Sequence, residues 1–168
     1  MKVFLGPGAT GGVISLKQYL DGLAARGIDA YGVTLPGGNA ERAVPVYVRQ
    51  SGTGPDVVIG GRSYGGRVAS LVAAGPEDEF AGLLLFAYPL HRPGFPEQLR
   101  TAHWPRIRCP VLIVQGEADP FGSPADLRRE ARKLRDVDLV TLPGTGHVLK
   151  ERLDDALDAA AEWLARLR

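Results

Sequence analysis

Short apolar runs alternate with stretches of helical periodicity from one end of the chain to the other. The apolar runs fall at Lys2–Leu5, Ala30–Leu35, Asp56–Gly60, Gly82–Tyr88, Pro110–Gln115 and Asp138–Leu142. Most are near-continuous Val, Ile and Leu, as in parallel strands covered on both faces. Between them, Val13, Leu16, Leu20 and Leu23 recur every three or four residues, and this helix ends at Gly27. A second helix is predicted from Tyr64 to about Ala74, stopped by Gly75-Pro76. A third opens at Ser123-Pro124-Ala125-Asp126, where Ser can cap, Pro suits the first turn and Asp favours the positive end. It continues through Leu127, Ala131 and Leu134. The last carries Leu153, Leu157, Ala160, Leu164 and Leu167, with acids at its start and Arg166 and Arg168 at its end. Pro45 interrupts the segment from Asn39 to Gln50, where a shortened helix is expected.

Strands alternating with helices imply right-handed crossovers and helices on both faces of a sheet. The expected architecture is a three-layer α/β/α domain spanning residues 1–168, with a mostly parallel sheet of about six strands. The 22 glycines and 13 prolines gather at strand ends, where a doubly wound fold places its working loops.

Composition narrows the function classes. The 168 residues are 45% apolar and 23% charged, a globular balance. A net charge of +1 points neither to nucleic acid nor to an anionic membrane surface. The single cysteine, Cys109, excludes an internal disulfide and a cysteine-rich metal site, and its place before Pro110 reads as an inert thiol. The apolar run before Gly6 is only Val3-Phe4-Leu5, too short for a signal-peptide core, and no apolar run approaches the roughly 18 residues of a membrane span. No metal site is expected, and a cytoplasmic location is.

The chemistry gathers around the stretch VVIGGRSYGGRVASLVAAG, residues 57 to 75. Val57-Val58-Ile59 runs into Gly61-Arg62-Ser63-Tyr64-Gly65, and a helix follows at once. G-x-S-x-G between strand and helix is a nucleophile elbow, whose glycines let strand and helix pass closely around a strained turn. A serine nucleophile needs a base, and the base an orienting acid. Asp119 and His147 follow in the order Ser, Asp, His, each just past the C-terminal end of a predicted strand. Glu117 competes with Asp119 but is nearer its strand. His103 reads as a packing or hydrogen-bonding residue, and His91, in the loop from Tyr88 to Gly94, as either a lining residue of the substrate mouth or a solvent-facing loop histidine.

The same residues carry a resemblance. GGRSYGGR at 60 to 67, YPLHRPGFPE at 88 to 97, CPVLIVQGEADPFG at 109 to 122 and LPGTGH at 142 to 147 resemble the α/β-hydrolase superfamily. More narrowly they resemble its small dienelactone-hydrolase-like branch, and within it the testis-expressed and histone-acetyltransferase-complex-associated hydrolase-like proteins. The resemblance implies a triad of Ser63, Asp119 and His147 in a minimal α/β-hydrolase fold. It also exposes departures: about six strands in place of eight, and a short loop between Tyr88 and Arg108 where a cap domain would be inserted. Pro7-Gly8 stands where His-Gly is common, and Thr145-Gly146 replaces a familiar Asp before the histidine.

The first loop, GPGATGG at residues 6 to 12, spells G-x-G-x-x-G, a dinucleotide pattern. A nicotinamide or flavin site would need an acid at the end of the second strand, which instead closes on Pro36-Gly37-Gly38. No cofactor is therefore expected. In the hydrolase reading this loop supplies one oxyanion donor and the amide of Tyr64 the other. Pro7 has no N–H, so the loop donor is Ala9, with Gly8 as the alternative. Gly8, Arg62 and His91 are the candidate substrate contacts.

The function expected is that of a serine hydrolase cleaving a small ester or related acyl compound through an acyl-enzyme. The alternatives are a hydrolase-fold interaction module without catalysis, or an acyltransferase using the same triad. The partner is a small-molecule acyl substrate, with neither nucleic acid nor membrane. A homodimer is one way to cover an edge strand at Ala30–Leu35.

Overall fold

The computed structural model describes residues 1–76 and 79–167. Six strands form one sheet: β1 (Lys2–Gly6), β2 (Ala30–Gly32), β3 (Gly54–Arg62), β4 (Phe80–Phe86), β5 (Val111–Gly116) and β6 (Val137–Leu142). Their order is β2-β1-β3-β4-β5-β6, and all five pairings are parallel. Five helices cover it: α1 (Lys17–Ala24), α2 (Ala40–Ser51), α3 (Tyr64–Ala73), α4 (Pro124–Ala131) and α5 (Leu153–Arg166). Arg168, read from the sequence as the basic end of the last helix, lies outside the described residues.

Side chains alternate across each strand, so the sheet divides the core in two. Ile59, Leu83, Leu85 and Ile113 face α2, α3 and α4, where Tyr47, Val68 and Leu127 are buried. Val58, Leu84, Phe86, Leu112 and Val114 face α1 and α5, against Leu23, Leu157 and Trp163. Covering both faces is what makes the central strands continuously apolar. Among the described residues no helix is long and apolar enough to cross a membrane.

Two elements differ from expectation. Helix α2 runs twelve residues through Pro45 instead of stopping short. Asn39 caps it by accepting from the Arg42 amide at 3.1 Å, and Ala40, Ala43, Tyr47 and Ser51 bury one stripe. Pro45 lies on the exposed side, so the ladder bond it removes is lost where water can replace it. The Tyr47 hydroxyl then pins the helix, its one proton shared between the carbonyls of Phe4 and Gly60 while its oxygen accepts from the Gly60 amide.

Strand β2, expected to reach Leu35, ends at Gly32. The Gln50 carboxamide takes over at Thr34, accepting from its N–H at 2.9 Å and donating to its carbonyl at 2.8 Å. A side chain of α2 thus does for the edge what another strand would do. The remaining helices start close to where periodicity places them, but Val13–Leu16 is a 3-10 turn ahead of α1, and α4, whose Ser123 hydroxyl accepts from the Asp126 amide at 3.1 Å, ends at Ala131 before reaching Leu134.

The strand order reverses between β1 and β3, so their following loops diverge to opposite faces of the sheet. Such a switch point leaves a crevice beyond the strand ends, the usual ligand position in an open parallel sheet.

Candidate active site

Ser63 follows β3 directly, at that crevice. Its backbone is in the left-handed region (φ 50°), and its side chain stands at the N-terminal end of α3. A non-glycine residue is held there only when its surroundings over-determine it. The flanking glycines show how. A Cβ on Gly65 would lie 2.1 Å from the Gly6 carbonyl group, and one on Gly61 would lie 2.5 Å from the Gly65 carbonyl carbon. The Gly65 amide also donates to the Pro7 carbonyl at 2.8 Å, which fixes the first loop to the elbow. Ala87 (φ 51°) and Leu149 (φ 58°), the other left-handed non-glycine residues described, sit at this same edge of the sheet.

His147, in the loop after β6, places Nε2 2.8 Å from Ser63 Oγ and Nδ1 2.8 Å from Asp119 Oδ2. Asp119 is buried, and as a carboxylate it accepts at three points. The Phe121 amide donates to Oδ1 at 2.8 Å, while Gln115 Nε2 and His147 Nδ1 donate to Oδ2. That pairing leaves the lone pair of His147 on Nε2, aimed at the serine hydroxyl. Phe121 stacks on the imidazole with ring centroids 4.1 Å apart. Thr145, two residues earlier, anchors the histidine loop by donating to Glu151 Oε2 at 2.7 Å. A hydroxyl, an imidazole and a buried carboxylate so aligned can pass a proton off the serine as its oxygen attacks.

The sequence profile described as an alpha/beta hydrolase domain matches residues 40–166, well over half of the chain. The chain belongs to the α/β-hydrolase domain family. Solved structures give the same architecture. A monoacylglycerol lipase from Paleococcus ferrophilus superposes with a TM-score of 0.82 at 16% identity, over 99% of this chain and 94% of that one. Est1E from Butyrivibrio proteoclasticus gives 0.81 at 17%, over 98% and 87%. A thermophilic esterase from Thermogutta terrifontis gives 0.78 at 20%, over 99% and 90%. At these identities the likeness establishes the fold.

In this α/β-hydrolase domain the Ser63 hydroxyl opens onto a hollow of about 420 Å³. Ala9, Tyr64, Arg62, Phe121 and His147 are among its lining residues. The amides of Ala9 and Tyr64 have no hydrogen-bond acceptor among the described residues. Gly8 lies just behind, so close to the Arg62 guanidinium that a Cβ would be 2.5 Å from Nη1. The Arg62 guanidinium lies near the Tyr19 hydroxyl, where its charge offsets part of the upward push that burial gives that phenol, and the hydroxyl itself donates to the Val148 carbonyl at 3.2 Å. Arg62 thus packs against the first loop while bordering the hollow.

The other titratable candidates separate from the hydrolase-family site. His91 does not line the hollow; it is buried, with Nδ1 2.8 Å from the Arg92 carbonyl. Glu117 is exposed and accepts from Thr141, while His147 pairs with Asp119. His103 is buried with Nε2 2.7 Å from Ser70 Oγ. The Ser70 hydroxyl donates to the Arg67 carbonyl, so His103 is the donor in that pair. Burial, followed by the charges of Arg106 and Arg67, pushes the His103 imidazole down to about 4. Burial pushes the Cys109 thiol up to about 11, far from a reactive thiolate.

Gln115 and Phe121 are site residues that pattern reading passed over. Gln115 carried a signal, being the one polar residue in the strand Val111–Gly116. Phe121 carried none beyond its position two residues after Asp119.

Proposed function

We propose that this protein is a serine hydrolase acting on a small carboxylic ester or related acyl compound. The observation that carries the reading is the continuous relay from Ser63 Oγ through both nitrogens of His147 to buried Asp119, with the serine on a left-handed elbow. Ser63 Oγ attacks the ester carbonyl carbon as His147 Nε2 takes its proton, and Asp119 holds the imidazolium that forms. The carbonyl oxygen becomes an oxyanion that accepts from the free amides of Tyr64 and Ala9. Each such donor lowers the barrier by about 3 kcal/mol. Collapse expels the alcohol with the proton from His147 and leaves an acyl-serine. Water, deprotonated by His147, then attacks that acyl carbon and releases the acid. Within the family, the motifs from GGRSYGGR to LPGTGH support a place in the dienelactone-hydrolase-like branch.

The test is labelling of folded protein by a fluorophosphonate, followed by peptide mapping. The label is expected on Ser63, lost in Ser63→Ala, with nitrophenyl ester turnover lost alongside. Folded protein that resists the label, or a Ser63→Ala variant with wild-type turnover, would sink the reading in favour of a non-catalytic module.

A further inference from the structure

The chain has 20 basic and 19 acidic residues, yet the hollow around Ser63 does not share that balance. Arg62, Arg67, Arg92 and Arg100 all line it, and among the described residues no carboxylate does. These arginines come from the end of β3, from α3 and from two places in the loop between β4 and β5. Sequence distance hides their convergence.

Two of the four are engaged elsewhere. Arg62 is packed against Gly8, with no room for a methyl between them, and lies near the Tyr19 hydroxyl; Arg92 donates to Gln98 Oε1 at 3.1 Å with its guanidinium over the Phe95 ring. The other two are barely engaged. Arg67 has one ion pair, with Glu41 at 3.7 Å, and Arg100 reaches the Pro89 carbonyl only at 3.5 Å. A guanidinium carries five N–H donors, so both keep most of theirs unspent. Arg67 and Arg100 also line a second, smaller hollow of about 170 Å³, so each is flanked by space on two sides. Burial and the positive charges of Arg67 and Arg92 both hold the Arg100 guanidinium below its ordinary value. Like charges crowded in a partly desolvated recess, with spare donors in fork geometry, are complementary to a carboxylate or phosphate.

We propose that the acyl substrate carries an anionic oxygen group, which Arg67 and Arg100 bind while the ester carbonyl sits at Ser63. This rests on the hydrolase reading above and names its substrate class. Among the described residues Glu41 is the carboxylate beside the pair, and it competes with the substrate for Arg67.

The experiment compares 4-nitrophenyl hydrogen glutarate with its neutral methyl ester, which has the same nitrophenyl leaving group and chain. At low ionic strength kcat/KM is expected to favour the anion by about tenfold or more, and salt should shrink that ratio. Arg67→Gln and Arg100→Gln should each bring it towards one, Arg100→Lys should keep part of it, and Glu41→Gln should raise it. A ratio near one in active wild-type enzyme overturns the proposal, whatever else binds. Calorimetry of the wild type with glutarate and, separately, inorganic phosphate reads the site without turnover. Binding weakened about tenfold in Arg100→Gln supports the anion site, and the anion that binds better names the group. Heat from neither anion overturns it. If neither ester is cleaved while anion binding persists and depends on Arg100, the hydrolase reading fails and the anion site stands.

Discussion

His103 converts the packing beneath α3 into a measurable dependence of stability on pH. Folding lowers its imidazole from 6.5 to about 4, because the ring is buried beside Ser70 and faces the charges of Arg106 and Arg67. Below pH 6.5 the unfolded chain therefore takes up a proton here that the folded chain refuses. Stability from this group is complete above about 6.5 and is lost as pH falls towards 4. Each pK unit is worth about 1.4 kcal/mol, so the full shift corresponds to about 3 kcal/mol. The ring also borders the smaller hollow, where water screens part of the interaction. We therefore expect about 2 kcal/mol. Urea unfolding followed by tryptophan fluorescence at pH 7, 5.5 and 4 would measure it in wild type and His103→Gln. The downward-shifted carboxyls of Asp126, Glu130 and Glu151 titrate alike in both proteins and cancel in the difference. The variant should be the less stable protein at pH 7, and the gap should close by about 2 kcal/mol at pH 4. A gap that stays constant over this range would refute the burial argument.

Other perturbations test the frame around the site. Gly65→Ala sets a methyl 2.1 Å from the Gly6 carbonyl group, and a loss of about 3 kcal/mol is expected in thermal or urea unfolding. Asp119→Asn removes the acceptor for His147 Nδ1–H and should lower kcat for a nitrophenyl ester by roughly 10⁴-fold with little change in KM. Gln50→Ala frees both backbone groups of Thr34, with an expected cost of about 1 kcal/mol. Light scattering on that variant would show whether the uncovered edge of β2 now pairs with a second copy; a strictly monomeric mass at high concentration argues against that route to a dimer.

The alternation of strands and helices was legible because a sheet covered on both faces demands continuous Val, Ile and Leu. The elbow was legible because so few residue types fit a left-handed turn pressed against two backbones. Ser63 could be named in advance for that reason, Asp119 and His147 from their order and their places just past strand ends, and the three side chains meet. What escaped was whatever depends on distant segments coming together. Gln50 ends β2 early through a contact sixteen residues away. Pro45 reads locally as a break, but its helix is held by Tyr47 from the opposite side. His91 lies in a loop near the mouth by sequence, yet its ring turns inward. Each arginine of the hollow looks, taken singly, like a solvated residue.

The contact between Gly6 and Gly65 has a consequence for how such a protein can diversify. With the first loop hydrogen-bonded to the elbow and no room for a methyl between them, neither can be lengthened or reshaped separately. Residues 92–98, by contrast, are exposed and sit in the loop between β4 and β5, whose arginines border the hollow. Variation is thus confined by geometry to one replaceable rim. Descendants of this chain can acquire new preferences there while inheriting the reaction centre unaltered.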